Sequence, residues 1–470
     1  MKTHKHDIQV FTLLTINFLG ILLPFHKVIL MILMLMYLFF LRRWVKEKSI
    51  AVPKLIALSF MFQNTFMGIG MHLFGVAGES ITLYSQVATM YIFIAAAWII
   101  LYSKNKMTHM LFCLYLVIIC FNFVISSNHS LTSFAYNTRN FTVFYLAYVI
   151  GAYLINQKQK FNDFKRFIIR ISMVACFVGI LGYITNEQLY IWLGAAEVSS
   201  VKAMNIDMVL LNGLPGYFYG DFFGHYYLRL GSLFLEPVNF SSFLALPIIL
   251  KATELKNKKD CIQLIVLVIC QFLTFGKGGM LITAMAIFSA ILYGLMPRKL
   301  GMTGVDSSLL IKWGIIVVVM GGGLFYGTAY SYNLHFHAIR ITLAALMEHP
   351  FGFGIGSVGN FTRDVFSMDT LLGAETGVLN FWCQLGIEGL IVFIALLWKI
   401  SKQCFKARAG ENTVQVGVFA ILPIILFLVF FFQENTFTTQ VITGYMLIIG
   451  YISQINKTDR QTMISVYTEE

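Results

Sequence analysis

The sequence predicts an all-α polytopic membrane protein with about fourteen spanning helices and two large loops on the non-cytoplasmic side. Three observations carry that expectation. Of 470 residues, 58% are hydrophobic and 12% charged, against roughly 25% charged in an ordinary soluble domain. Apolar runs near membrane length recur almost end to end. Basic residues fall in alternate connections between those runs. A chain this long has room for on the order of two or three soluble domains, but the recurrence of apolar runs argues for one continuous membrane domain, 1–470.

Apolar runs bounded by charges and turn residues place spans at 8–24, 26–41, 54–71, 81–102, 107–126, 136–155 and 166–184. The series continues with 239–252, 260–275, 279–296, 312–330, 377–398, 415–433 and 440–456. The first pair is short, with Pro24, His26 and Lys27 between its members. It forms either a tight hairpin or one long tilted helix with an interfacial segment. The basic N-terminus runs into an apolar stretch as a signal peptide does, but no small-residue cleavage site follows, so it reads as a retained span.

Charge sets the orientation. With the N-terminus inside, only Lys27, Arg139, Lys202, Arg229, Lys277, Arg340 and Arg363 of the 34 basic residues fall outside. The remaining 27 lie on the cytoplasmic side, the bias that orients membrane proteins. Both termini are then cytoplasmic. A net charge of +12 would point to nucleic acid in a soluble chain; here the cytoplasmic excess accounts for it, and no nucleic-acid partner is expected. The seven cysteines make no CxxC pair and no Cys/His cluster with metal spacing, so neither a disulfide framework nor a metal site is expected.

The two outer loops are 185–238 and 331–376. Both are rich in aromatics and glycine, a composition for re-entrant or interfacial structure rather than a disordered linker. Loops of this length usually carry function.

Four constellations hold the polar chemistry. The first runs from Arg229 to Glu236-Pro237. An arginine fork matches a multiply charged oxyanion such as phosphate, while the seven-residue spacing also permits a plain Arg229–Glu236 salt bridge. In the second, Phe275-Gly-Lys277-Gly-Gly279, a Gly-rich backbone beside a lysine can cradle an anion. The alternative is a tight helix–helix turn with a snorkelling lysine. The third joins Arg340 to Glu348-His349-Pro350-Phe-Gly352-Phe-Gly354-Ile-Gly356-Ser357. Without a preceding strand, its glycines are no dinucleotide loop, and loop histidines such as His349 are more often structural than catalytic. The fourth, from Glu375 to Gly389, opens a span with a carboxylate at its N-terminus. That carboxylate is either a helix-end charge or a general base for a hydroxyl.

On these four segments the chain resembles the O-antigen and capsular polysaccharide polymerases of the Wzy type, and their relatives the O-antigen ligases. The PFGFGIGS and ETGVLNFWCQLGIEGL runs are the most specific, and the resemblance covers roughly 220–400 by motif. It implies a membrane glycosyltransferase fold in the bacterial cytoplasmic membrane. The implied activity moves a glycan from undecaprenyl pyrophosphate onto the next lipid-linked repeat unit, with no cofactor. A flippase and a chain-length regulator would be its partners. Arg229 and Arg340 would hold the pyrophosphates and Glu375 would accept the acceptor proton, with Lys277, Glu236, His349 and Arg363 contributing to substrate binding. His349, Glu236 and His225 are alternative bases. Lys277 stands where many relatives carry arginine, and ligases carry histidine where this chain has Glu375, which favours polymerase. A ligase, a lipid-linked oligosaccharide flippase and a non-catalytic assembly protein are the competing readings.

Overall fold

The structure, a computed structural model, describes residues 2–22, 26–102, 106–125, 131–203, 210–222, 225–295, 329–358, 376–408 and 414–455. Helices make up 83% of it, with almost no sheet. Nearly all of the expected span at 312–330, and the candidates Arg363 and Glu375, lie outside the described residues.

Helices α1 (Lys2–Leu22) and α2 (His26–Lys46) pack on each other, which makes the first pair a hairpin. The expected span at 54–71 is two helices, α3 (Ala51–Met61) and α4 (Gln63–Phe74), parted at Phe62. Polar side chains at the start of α4 tie the break to the 185–238 segment: Asn64 Nδ2 donates to the Phe234 carbonyl at 2.6 Å, and Thr65 to that of Leu233. Helices α5 (Gly78–Tyr102), α6 (Lys106–Ile125), α7 (Leu131–Leu154) and α8 (Lys158–Ile184) follow close to their expected positions.

The segment expected at 185–238 is folded and packed on the bundle. It comprises α9 (Gln188–Trp192) and α10 (Ala195–Ala203), the latter packed on α4. Two short antiparallel ribbons follow, β1 (Leu210–Leu211) with β2 (Leu214–Pro215) and β3 (Tyr219–Phe222) with β4 (His225–Leu228). They correct the all-α expectation locally: alternating aromatics and glycines suit a hairpin. The chain then enters α11 (Pro237–Ala252), α12 (Lys258–Leu273) and α13 (Lys277–Leu295). Last come α14 (Ala329–Glu348), α15 (Gly377–Arg408), α16 (Val414–Phe430) and α17 (Thr439–Ile452).

Helix α7 is the buried centre, and α17 lies along it at close range. A Cβ on Gly151 would sit 2.0 Å from the Leu447 carbonyl oxygen, and one on Gly450 2.3 Å from that of Tyr148. Small residues at such a contact let two backbones approach where side chains would hold them apart.

The two ends of the bundle differ. At one, lysines meet carboxylates and helix ends: Lys165 pairs with Glu254, Lys251 with Asp260, and Lys160 Nζ donates to the Lys48 carbonyl at 2.7 Å. At the other, the first turns of α11, α13, α15 and α17 gather around the middle of α7.

Two helical stretches, Lys158–Ile184 and Gly377–Ala407, are long and apolar enough to cross a membrane by length and composition. The expected count of about fourteen is therefore not reached by this measure. Of the other helices, α5, α6 and α7 run 25, 20 and 24 residues, while α3, α11, α16 and α17 run 11, 16, 17 and 14, short of the ~20 that a hydrocarbon core asks of one straight helix. The break at Phe62 is what shortens α3 and α4. Two helices carry an apolar stripe on the outward face. Helix α6 exposes Met110, Leu114, Val117, Phe121 and Val124, and α12 exposes Ile262, Ile265, Ile269 and Phe272. Spacings of three and four put each set on one face, and continuous apolar stripes of this kind require a covering phase.

Candidate functional site

Residues 229–236 do not form the two helical turns that would bring Arg229 beside Glu236. Ser232 and Leu235 take positive φ (52° and 50°) around a single 3-10 turn, Ser232–Phe234. Arg229 faces the α12–α13 turn instead. Its Nε donates to the Thr274 carbonyl at 2.8 Å, Nη2 to Phe275 at 3.3 Å and Nη1 to Tyr217 at 3.2 Å. The neighbouring Leu230 N–H donates to the Leu273 carbonyl at 3.0 Å. Arg229 is thus a latch between two motifs; three of its five N–H groups are engaged and two remain. Burial without a carboxylate partner lowers its pKa to about 10, so it stays charged at neutral pH.

Glu236 precedes α11, with Pro237 pre-set for the first helical position. Asn239 Nδ2 donates to Glu236 Oε2 and also, at 3.1 Å, to Gln440 Oε1 on α17. Beside this carboxylate, burial and the negative charge of Glu236 hold the Tyr217 phenol above its usual pKa.

The glycines of the Phe275–Gly279 turn provide close packing. Ser241 Oγ on α11 donates to the Gly276 carbonyl at 2.8 Å. A Cβ on Gly279 would fall 2.3 Å from the Ser241 carbonyl carbon, and one on Gly278 1.5 Å from Gln433 Oε1. Lys277 opens α13 and is half-buried.

The third and fourth motifs clasp each other. Gly352, Gly354 and Gly356 all take positive φ (78°, 88° and 84°), which only glycine adopts freely. Phe353 N donates to the Cys383 carbonyl, Gly356 N to Gln384 Oε1 and Trp382 Nε1 to the Pro350 carbonyl, at 2.6, 3.1 and 2.8 Å. Gly386 (φ 70°, ψ 174°) interrupts α15. The groups freed there are met from outside: Ile387 N donates to Pro350 O at 3.0 Å, and Asn122 Nδ2 on α6 donates to Leu385 O at 3.2 Å.

The corner between α16 and α17 joins the two clasped pairs. Gln433 lies on the Phe275–Gly279 turn, and Phe430 lies on Gly377, where an added Cβ would be 1.9 Å from its ring. Beneath the corner, Phe141, Phe144, Phe381, Phe393, Phe430 and Phe437 interlock, with Phe141–Phe381 centroids 4.7 Å apart and Phe430–Phe437 4.6 Å.

The structure therefore brings Arg229, Glu236 and Lys277 into one assembly. Arg340 and His349 are exposed on and after α14, with His349 against the Phe353 ring, and among the described residues neither bonds to that trio. His225 is exposed on β4. Glu375 and Arg363 lie outside the described residues, although Thr376, next to Glu375 in the chain, is buried. The residues that sequence reasoning missed are the uncharged ones: Asn122, Asn239, Asn380, Gln433, Thr436 and Gln440. The signal for Gln433, Thr436 and Gln440 was the QENTFTTQ stretch, 433–440, polar between two strongly apolar runs.

No known protein family has a model that matches this chain, and no curated protein matches it.

Proposed function

We propose that the chain is a membrane-embedded polymerase that joins lipid-linked glycan repeat units at the non-cytoplasmic face, releasing a polyprenyl pyrophosphate. The observation that carries this reading is the interlocking of the four motif segments in two pairs around the α16–α17 corner, at the end opposite the lysine-rich one. Motifs scattered from 229 to 389 have no local reason to clasp, whereas a shared site gives them one. The apolar stripes on α6 and α12 supply a lipid-facing surface, and the charge bias turns the motif end away from the cytoplasm.

In this reading the exposed fork of Arg340 meets the pyrophosphate and neutralises charge as it leaves. Arg229 holds the first outer loop over the α12–α13 turn and offers its two remaining donors. Glu375 takes the proton of the acceptor hydroxyl as that oxygen attacks the anomeric carbon. No metal or nucleotide sugar enters, because the lipid pyrophosphate is the leaving group. The test is surface-glycan profiling of a deletion strain complemented with wild type, Arg340→Ala or Glu375→Gln. Polymerisation predicts single-repeat glycan in the deletion strain, and neither variant restoring long chains at normal membrane levels. Long polymer stranded on its carrier would make the chain a ligase, and normal chains from both variants would reject the site.

A further inference from the structure

Buried polar atoms without a hydrogen-bond partner are concentrated toward the motif end. They include both amide atoms of Asn380, Thr376 Oγ1, Thr436 Oγ1, Gln440 Nε2, and Arg139 Nε and Nη1. Asn380 precedes Phe381 and Thr436 precedes Phe437, next to the interlocked rings in the chain, whereas Arg139, two residues before Phe141, lies on the other face of α7 from that ring.

Arg139 is the outlier of the set. It is 3% exposed on the central helix, with the Tyr136 ring 4.4 Å from its guanidinium carbon. No carboxylate pairs with it among the described residues. A guanidinium keeps its proton at neutral pH, and an uncompensated buried charge is strongly destabilising. Tyr136 lies against the guanidinium and hydrogen-bonds it but supplies no anion.

We infer that Arg139 is the buried seat of a phosphate or diphosphate group, bound within the outer half of the bundle beside the unpartnered hydroxyl of Thr138. A planar fork with two open nitrogens suits paired phosphate oxygens, and the neighbouring Thr138 hydroxyl is a donor that brings no second charge. The choice of a diphosphate rests on the proposed function; the anion seat does not.

The test is calorimetric titration of the full chain in nanodiscs with inorganic pyrophosphate and, separately, farnesyl diphosphate. Arg139→Gln should weaken binding at least tenfold and Arg139→Lys by less, while Arg43→Gln at the opposite end changes nothing. Preference for farnesyl diphosphate supports a lipid headgroup, and equal binding supports a free phosphate source. Unchanged affinity in Arg139→Gln overturns the seat; if that variant does not fold, unchanged affinity in Arg139→Lys does so. Glycan profiling separates the two readings. Lost binding with normal chains keeps the seat and removes the polymerase, whereas lost chains with intact binding removes the seat.

Discussion

Trp382 donates its indole N–H to the main-chain carbonyl of Pro350 at 2.8 Å, across 32 residues of chain. This bond closes the clasp between the Gly-rich loop and the first turns of α15. Trp382→Phe keeps a ring and loses the donor, so it should cost about 1 kcal/mol. Gly352→Ala should cost more, about 2–4 kcal/mol. Its Cβ would lie 2.6 Å from the Cys383 carbonyl oxygen, on a backbone at φ +78°. Thermal unfolding in detergent ranks the two, and the reverse order would mean that the loop does not need its close approach to α15.

The α12–α13 turn makes a sharper comparison. Gly279→Ala places a Cβ 2.3 Å from the Ser241 backbone, whereas one at Gly75 meets nothing within 4 Å and carries only the strain of φ +63°. Gly75→Ala should therefore cost about 1 kcal/mol, and Gly279→Ala several times as much with loss of long-chain glycan. Equal unfolding midpoints would show that the turn can move off α11.

Arg229 gives a prediction about pH. Its folded pKa of about 10 lies below the ordinary 12.5, so the unfolded chain holds the proton to higher pH. Folding bears the penalty of burying this charge at every pH below about 10, and is relieved of it as the pH rises through that value toward the unfolded one. Between pH 6 and 9 Arg229 contributes no slope. The difference in unfolding midpoint between wild type and Arg229→Gln should be constant across that window, and a drift would place another titrating group against the latch. Arg229→Lys should not rescue the glycan, because one ammonium cannot span three carbonyls as the fork does.

The bundle and the clasps were not equally legible in the sequence. Runs such as 107–126, 239–252 and 415–433 are close to their helices, Lys106–Ile125, Pro237–Ala252 and Val414–Phe430, because hydrophobic length and periodicity are local properties. The break at Phe62 was invisible, since it is set by Asn64 and Thr65 bonding to a loop nearly 170 residues away. A spacing of seven between Arg229 and Glu236 looked like a pair, yet two positive φ angles turn the segment so that the arginine finds carbonyls 45 residues further on. A search for charge found Lys277 and Arg340 and passed over Gln433 and Asn380. Arg139 was noted as a basic residue on the wrong side of the bias, but its lack of a buried partner is a fact of packing.

The cysteines test the lipid-facing surface itself. Cys113 and Cys120 are exposed and lie on the apolar stripe of α6, while Cys261 is exposed beside Lys258 and Lys259 at the lysine-rich end. A maleimide needs thiolate and water. In sealed, right-side-out vesicles, single-cysteine variants carrying Cys113 or Cys120 should resist a membrane-impermeant maleimide, because hydrocarbon covers them and keeps the thiol protonated. Cys261 should resist it for another reason, its end facing the lumen, and should react once the vesicles are inverted. Rapid labelling of Cys113 and Cys120 in intact vesicles would mean that water covers α6, and the embedding would fall. Labelling of Cys261 from the outside alone would keep the embedding and reverse the orientation, which would turn the clasped motifs toward the cytoplasm, where an acceptor already carried across the membrane does not reach them.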